Sequence, residues 1–358
     1  YLTNGMVVVY DKTHIEIANA ATIRSTGVVP EPYALIYTGM SDTIMVDGAS
    51  HFDPVIENEE DIEKIKMPIV EVDWEETELN YQLLQDVFAG ILPVEKRGIY
   101  DFELLPLEKK GANGWKTYSS WFGFWFAPWD DLVQWLGVEQ TLFGLTTRPA
   151  FIHKVMERLV DAWLHRLDQY EKLNLLALNN GPNRVGSGGY GFSHQLPQAD
   201  FNQNHIRTID LWGSCAAQIF AAVSPQMHEE FALQHEKRWL ERFGLTYYGC
   251  CEPLHKKISI LKQIPNLRKI SMSPWADLNE AVQKVGNQYV LSLKPSPAIF
   301  AVDVWDLDEG RRQLISILEK TKGCSVEVIM KDISTCRNQP QRLWEWDKMA
   351  REVTEEFA

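Results

Sequence analysis

The feature that most constrains this chain is an alternation of short apolar runs with long amphipathic stretches from about residue 175 onward. Runs such as "LLALNNG" (175–181) and "LTYYGC" (245–250) are rich in strand-forming residues, and a helical pattern follows each of them. Sustained βα repetition predicts an α/β fold. Because no G-x-G-x-x-G turn opens a helix, the pattern favours a TIM (β/α)8 barrel over a doubly wound sheet.

The predicted domain organisation is a single barrel domain over residues 1–358. Its N-terminal part (1–114) is irregular in pattern, and regular βα units occupy 115–358. A helix is predicted over 128–137, because Pro128 stands at its start and Gly137 at its end. The other predicted strands are 5–11, 32–39, 43–48, 207–214, 267–273, 289–297 and 325–332. The other predicted helices are 148–174, 224–244 and those near 276–286, 308–323 and 339 onward.

Composition and charge limit the class of protein and the cellular compartment that the sequence fits. A chain of 358 residues that is 45% hydrophobic can bury a large core, and its net charge of −14 lacks the basic footprint of nucleic-acid binders. No apolar run reaches the roughly 18 residues of a membrane span, and the first residues do not resemble a signal peptide. We therefore expect a cytoplasmic protein whose five dispersed cysteines stay reduced. The absence of an initiator Met suggests a start inside a longer product.

In a barrel, chemistry lies where the strands end at their carboxyl side. The expected catalytic residues are Asp210, Glu252 and Lys294. The expected substrate-binding residues are Tyr190, His194, His205, Trp212, Tyr248 and Trp275. The "GSGGYG" run (186–191) opens a loop and does not indicate a phosphate-binding turn.

Three cysteines, Cys250, Cys251 and Cys336, follow two predicted strands and are the expected metal ligands. Completed by Glu252 or a histidine, they would form the thiolate-rich set that zinc prefers. The alternative is that they are buried as small hydrophobic residues. For both Cys250 and Cys251 to bind one ion, the strand must have ended before them, since neighbours on a strand face opposite sides.

Two segments resemble the uroporphyrinogen decarboxylase superfamily. They are "IDLWGSCAAQIFAAVSPQMHEEFALQHEKRWLERFG" (209–244) and "WDDLVQWLGVEQTLFGLTTRPAFIHKVMERLVD" (129–161). The resemblance extends from about residue 115 to the last residue, and it implies a TIM barrel. The "RQAGR" motif with which the decarboxylases bind tetrapyrrole carboxylates is absent.

In outline the chain is more similar to the corrinoid-dependent methyltransferase branch. There, a His-x-Cys strand end and a later cysteine bind zinc. Here "YYGCCE" and "DISTCRNQP" take those places, and Tyr248 or Gly249 stands where the histidine is expected. The resemblance then implies either that a second cysteine or Glu252 replaces the histidine or that zinc is lost.

The resulting hypothesis is a methyltransferase that moves a methyl group between a small methylated substrate and a corrinoid protein or a thiol, with zinc assistance. One alternative is a lyase, namely a metal-free decarboxylase that acts on a small non-tetrapyrrole carboxylate and uses Asp210 and Lys294. The other alternative is a non-catalytic ligand-binding barrel. The aromatic segment 115–129 favours a lid or a homodimer interface, with core packing as the alternative.

Overall fold

The computed structural model describes residues 54–96, 98–100 and 124–357, and it gives the backbone of five strands in the remainder of the chain. The strands are β1 (Val8–Val9), β2 (Ile15–Ile17), β3 (Ile23–Ser25), β4 (Val70–Val72), β5 (Val94–Lys96), β6 (Glu103–Gly111), β7 (Gly114–Phe122), β8 (Trp125–Phe126), β9 (Arg184–Val185), β10 (Gly189–Tyr190), β11 (Trp212–Cys215), β12 (Leu245–Tyr248), β13 (Leu267–Met272), β14 (Val290–Leu293) and β15 (Ser325–Val328). The α-helices are α1 (Trp74–Val87), α2 (Pro128–Leu136), α3 (Val138–Thr147), α4 (Pro149–Lys172), α5 (Pro225–His228), α6 (Gln234–Leu240), α7 (Ile258–Leu261), α8 (Leu278–Val285), α9 (Ala298–Ala301), α10 (Leu307–Lys320) and α11 (Gln341–Phe357). A π-helical turn, Glu229–Leu233, joins α5 to α6.

A parallel sheet organises the fold. Its strand order is β15–β14–β13–β12–β11–β8, and every neighbouring pair is parallel. Helical segments connect the strands from β11 onward, so the predicted α/β architecture with a parallel sheet is confirmed. Among the described residues the sheet has six strands. Closure into an eight-stranded barrel remains a prediction.

The core explains why the segments fold in this way. All four residues of β11 and of β12 are buried, as expected for strands covered on both faces. Helix α4 buries its apolar face at a helical spacing and begins with Pro149 at its first turn. The rings of Phe126, Trp163 and Trp239 pack between this helix and the sheet with centroids 5.1 to 5.8 Å apart.

Two predicted strands differ from the structure. Among the described residues, the 175–181 segment makes a single parallel bridge, between Leu176 and Ile99. The strand predicted over 207–214 begins at Trp212, after a 3-10 turn over Thr208–Asp210. The turn forms because the Asp210 carboxylate accepts the backbone N–H groups of Arg207 and Gln198 at 3.1 Å. Asp210 therefore lies at the amino end of the sheet.

The N-terminal part contains an unpredicted helix, α1, whose first turn is capped by the Asp73 side chain accepting from the Glu76 amide at 2.9 Å. Strands β6 and β7 form an antiparallel pair, so much of the aromatic segment is a strand. Phe126 and Trp129, near its end, are fully buried, which corrects the expectation of a lid there. The strands predicted over 32–39 and 43–48 fall outside the described residues. Within the described part of the chain, no helix combines the length and apolarity needed to cross a membrane.

Candidate active site

Polar side chains from four neighbouring strands meet at the carboxyl edge of the sheet. Cys250 follows β12, Ser271 belongs to β13, Lys294 follows β14 and Lys331 follows β15. Because the strands are parallel, their carboxyl ends lie at one edge. Hydrogen bonds connect these four residues, and the cluster they form is called the cysteine site below.

A sharp turn brings the two cysteines of this site together. Strand β12 ends at Tyr248, and Gly249 adopts φ +98°, in the left-handed region that favours glycine. A Cβ atom at Gly249 would lie 2.3 Å from Leu254 Cδ1, so the turn also requires a residue without a side chain. As a result the Sγ atoms of Cys250 and Cys251 lie 3.5 Å apart.

Cys250 has the surroundings of a thiolate. Its sulfur accepts from Ser187 Oγ at 3.3 Å and from Lys331 Nζ at 3.3 Å, and its residue is only 8% exposed. The Cys251 thiol, Ser187 and Lys331 together lower the pKa of Cys250 to about 5, although burial opposes them. The hydrogen bond between the two sulfurs, together with burial, raises the pKa of Cys251. Of the two sulfurs, Cys250 is therefore the one that its surroundings favour as the thiolate.

Lys331 supplies the matching positive charge. Its Nζ lies 3.4 Å from Cys251 Sγ, 2.9 Å from Ser187 Oγ and 3.3 Å from the Asp332 carboxylate. Burial alone would lower the pKa of Lys331, but the neighbouring cysteines outweigh it and raise the pKa. Sequence reasoning missed this residue. It lies inside a predicted strand, 325–332, whereas the observed β15 ends at Val328.

Ser187 reaches the site from a glycine-rich hairpin. Strands β9 and β10 pair in antiparallel register, and Gly186 in their connection has φ +57°. A Cβ atom on Gly186 would lie 2.2 Å from the Tyr247 ring, so only glycine lets the hairpin approach the sheet this closely. The run "GSGGYG" was the sequence signal that could have identified Ser187.

Lys294 is the buried amine of the site. It is 4% exposed and donates to Tyr247 Oη and Ser271 Oγ, both at 2.8 Å. Ser271 Oγ in turn donates to the Cys250 carbonyl at 2.6 Å, which links the lysine to the cysteine turn. Burial, with the nearby charge of Lys331, lowers the pKa of Lys294 to about 8.

Glu252 stabilises the cysteine turn through a hydrogen bond to its backbone. One carboxylate oxygen accepts the Cys250 backbone N–H at 2.8 Å, while the other, Oε1, is buried and has no hydrogen-bond partner among the described residues. Burial raises the pKa of Glu252 to about 7. Glu252 therefore lies beside the cysteine turn and contacts the backbone of Cys250, and its catalytic role stays a prediction.

Tyr248 and Trp212, two predicted substrate-binding residues, are buried. Tyr248 donates to Glu236 at 2.7 Å and lies 2.6 Å from His228 Nε2, on the face opposite Tyr247. Trp212 is 1% exposed and donates its indole N–H to the Gly191 carbonyl at 2.8 Å. It therefore anchors the glycine-rich hairpin.

Asp210 does not join the cysteine site. It is fully buried at the opposite end of the sheet, where its carboxylate lies 3.0 Å from Arg207 Nε. The expectation that Asp210 converges with the cysteines is not met, because β11 begins only at Trp212, two residues after Asp210 and five residues later than predicted.

The remaining predicted binding residues are exposed. Trp275 is 81% exposed and lies three residues beyond the carboxyl end of β13, near the edge that carries the cysteine site. Tyr190 is 60% exposed, and its carbonyl accepts from Lys269 at 2.6 Å. His194 and His205 are exposed on the segment between β10 and β11.

The donors as arranged do not fit the predicted zinc site. Cys336 is half-buried in the loop before α11. Across the described residues, no group of three or more His, Cys, Asp or Glu side chains is arranged to hold a metal ion. Moreover, the Lys331 ammonium lies against both sulfurs of Cys250 and Cys251, where its positive charge opposes a second cation. Zinc stays a prediction.

The similarity of this chain to known proteins is low. No family model and no curated protein matches the chain. Among solved structures, a methyltransferase from Methanosarcina mazei is similar with a TM-score of 0.43 and 7% sequence identity. The match covers 77% of this chain and 62% of that methyltransferase, so this chain spans less than two thirds of its length.

Proposed function

We propose that the chain is a methyltransferase-like enzyme in which the Cys250 thiolate is the group that accepts the methyl. One observation carries the proposal: Cys250 is almost buried, and it is held by Ser187, Cys251 and Lys331 in surroundings that lower its pKa to about 5. A thiolate is a strong nucleophile toward methyl carbon, and a low pKa keeps it deprotonated at neutral pH.

The proposed step is a displacement at carbon. The Cys250 sulfur attacks the methyl carbon of a small substrate, a C–S bond forms, and the leaving group departs with the electron pair of the bond that breaks. Lys331, which contacts both sulfurs, is placed to stabilise the negative charge on an anionic leaving group such as an alkoxide as it develops. The thiolate charge is consumed in the step, so the Lys331 ammonium then becomes available to that anion, whereas an amine leaves as a neutral group.

The proposed partner is a corrinoid protein or a thiol that receives the methyl group in a second step. The family resemblance supports this choice, as does the position of the site at the carboxyl edge of a parallel sheet. The proposal includes closure of the sheet into a full barrel of the uroporphyrinogen decarboxylase type. No metal takes part in the proposed step, because the side chains of the site are not arranged as a metal's ligands and the Lys331 ammonium contacts both sulfurs.

The test is methyl labelling of Cys250. The reduced protein is incubated with isotopically labelled methylcobalamin or with labelled small methyl ammonium compounds and methyl ethers, and the label is located by peptide mass spectrometry. We expect the label on the peptide containing Cys250. Cys250→Ser should abolish it, whereas the control Cys324→Ser should retain it. Label that persists in Cys250→Ser would refute the assignment.

A second candidate, a metal-free decarboxylase, is favoured by Lys294. A buried amine with a pKa of about 8, positioned by two hydroxyl groups, is suited to binding a substrate carboxylate. Release of labelled CO₂ from small carboxylic acids, lost in Lys294→Met and kept in Cys250→Ser, would favour this reaction over methyl transfer.

A further inference from the structure

The two cysteines of the site also form a pair that can react with each other. Their sulfurs lie 3.5 Å apart, and both point to the same side because the chain turns at Gly249. We propose that Cys250 and Cys251 are a reversible oxidation site, at which a peroxide converts the two thiols into a disulfide between adjacent residues.

The geometry provides both access and proximity. Cys251 is exposed and Cys250 is 8% exposed, so an oxidant as small as hydrogen peroxide reaches the pair from solvent. A disulfide needs the sulfurs at about 2.05 Å, so the 3.5 Å separation must shrink by movement of the two side chains. Lys331 lies against both sulfurs and is placed to stabilise the hydroxide that leaves the peroxide.

The chemistry balances in two steps. The Cys250 sulfur attacks one oxygen of hydrogen peroxide, the O–O bond breaks, and after one proton is taken up the products are a sulfenic acid and water. The Cys251 sulfur then attacks the sulfenic sulfur, the S–S bond forms, and a second water leaves. In total, two thiols lose two electrons and two protons, and the peroxide is reduced to two water molecules.

The backbone makes this disulfide easy to reverse. The peptide between the two residues is trans, which places their Cα atoms about 3.8 Å apart. Most disulfides join Cα atoms separated by roughly 4.4 to 6.8 Å. The bridge is therefore strained, and strained, exposed disulfides are reduced readily. If the proposed methyl transfer holds, oxidation also removes the accepting thiolate and switches the enzyme off.

The experiment measures thiols and needs no turnover, so its outcome is independent of the proposed reaction. The full chain is reduced, freed of reductant and treated with hydrogen peroxide, and then free thiols are counted and peptides mapped by mass spectrometry. We expect the loss of two thiols per chain, both in the 250–251 peptide, and full recovery with dithiothreitol.

Three variants make the result decisive. In Cys251→Ser the reaction should stop at a sulfenic acid on Cys250 that dimedone traps. In Lys331→Gln the oxidation should slow by at least about tenfold, the loss of one charge-assisted hydrogen bond. The control Cys324→Ser should behave as the unmodified chain does. A bridge mapped to Cys336, a dimedone adduct as the main product on Cys250 in the unmodified chain, or all five thiols still free after peroxide treatment would overturn the proposal.

Discussion

Replacing Lys331 by methionine should raise the pH at which Cys250 becomes reactive. Lys331 Nζ donates to the Cys250 sulfur at 3.3 Å, with its side chain only 21% exposed. Methionine keeps an apolar stem of similar length and removes only the charge and the donors. The thiolate then keeps the hydrogen bonds from Cys251 and Ser187 but loses its counter-charge.

The size of the effect follows from that one lost contact. A hydrogen bond to a charged group contributes about 1.5 to 3 kcal/mol, and one pKa unit corresponds to about 1.4 kcal/mol. The midpoint should therefore rise from about 5 by roughly one to two units. Alkylation at pH 6, which depends on the thiolate fraction, should slow by about two- to tenfold.

The assay is the rate of iodoacetamide labelling of the Cys250 peptide between pH 4 and 9, quantified by mass spectrometry. Peptide-level detection separates Cys250 from the other four cysteines. Lys322→Met, which removes an exposed lysine before the amino end of β15, at the opposite edge of the sheet from the site, is the matched control and should leave the profile unchanged. A midpoint near 8.5, the ordinary value for a cysteine, in the unmodified protein would refute the reasoning. So would an unchanged midpoint in Lys331→Met.

Three further predictions concern the hairpin, the amino end of the sheet and zinc. Gly186→Ala should lower the free energy of unfolding by about 1 to 3 kcal/mol more than Gly286→Ala does. Both glycines have φ near +57°, but of the two only Gly186 faces a tyrosine ring of β12. Equal losses of stability in urea unfolding would contradict this prediction. Asp210→Asn should cost about 1 to 3 kcal/mol at pH 7 while leaving Cys250 alkylation unchanged. Burial opposes the ionised form of Asp210, but hydrogen bonding from Arg207 outweighs burial and lowers the pKa of Asp210. The stabilisation is therefore present above the pKa of Asp210 in the unfolded chain and is lost as the pH falls through its pKa in the folded chain. Urea unfolding of both proteins from pH 7 to 3 measures this loss, and a difference in stability that does not change with pH would contradict it. If the zinc prediction holds, elemental analysis of the reduced protein will find one equivalent that Cys336→Ala abolishes; zinc retained in that variant would end the prediction.

The parts of the fold that sequence predicts well are those set by local periodicity. The apolar spacing of 148–174 and the strand-forming runs before Cys250 and Lys294 depend on neighbours within one element, and the structure has α4, β12 and β14 there. The start of β11 was misplaced, since the Asp210 carboxylate competes for backbone N–H groups and holds a turn instead. Helix α1 went unpredicted, because its large apolar residues are mostly exposed and give no single buried stripe.

The site was predictable only in part, for a different reason. The cysteine pair and Lys294 could be identified because each follows a recognisable strand. Ser187 and Lys331 are 144 residues apart in the chain, and they meet only because the hairpin tip approaches the sheet at β12 and β15. No local pattern encodes that approach. The glycines that permit it are visible in the sequence, but their partner, the Tyr247 ring, is not.

The zinc prediction and the thiolate proposal are alternatives that one side chain decides. Zinc binds thiolate sulfur at about 2.3 Å, and two sulfurs on one tetrahedral ion lie only slightly farther apart than the 3.5 Å between Cys250 and Cys251. The separation of the sulfurs would therefore suit either role. Lys331, however, donates to both sulfurs, and an ammonium and a divalent ion cannot neutralise the same charge at the same place. Either Lys331 stays and the thiolate remains a free nucleophile, or it swings away and the sulfurs become ligands. The half-buried position of its ammonium, which donates to Ser187 Oγ and to both sulfurs, favours the nucleophile.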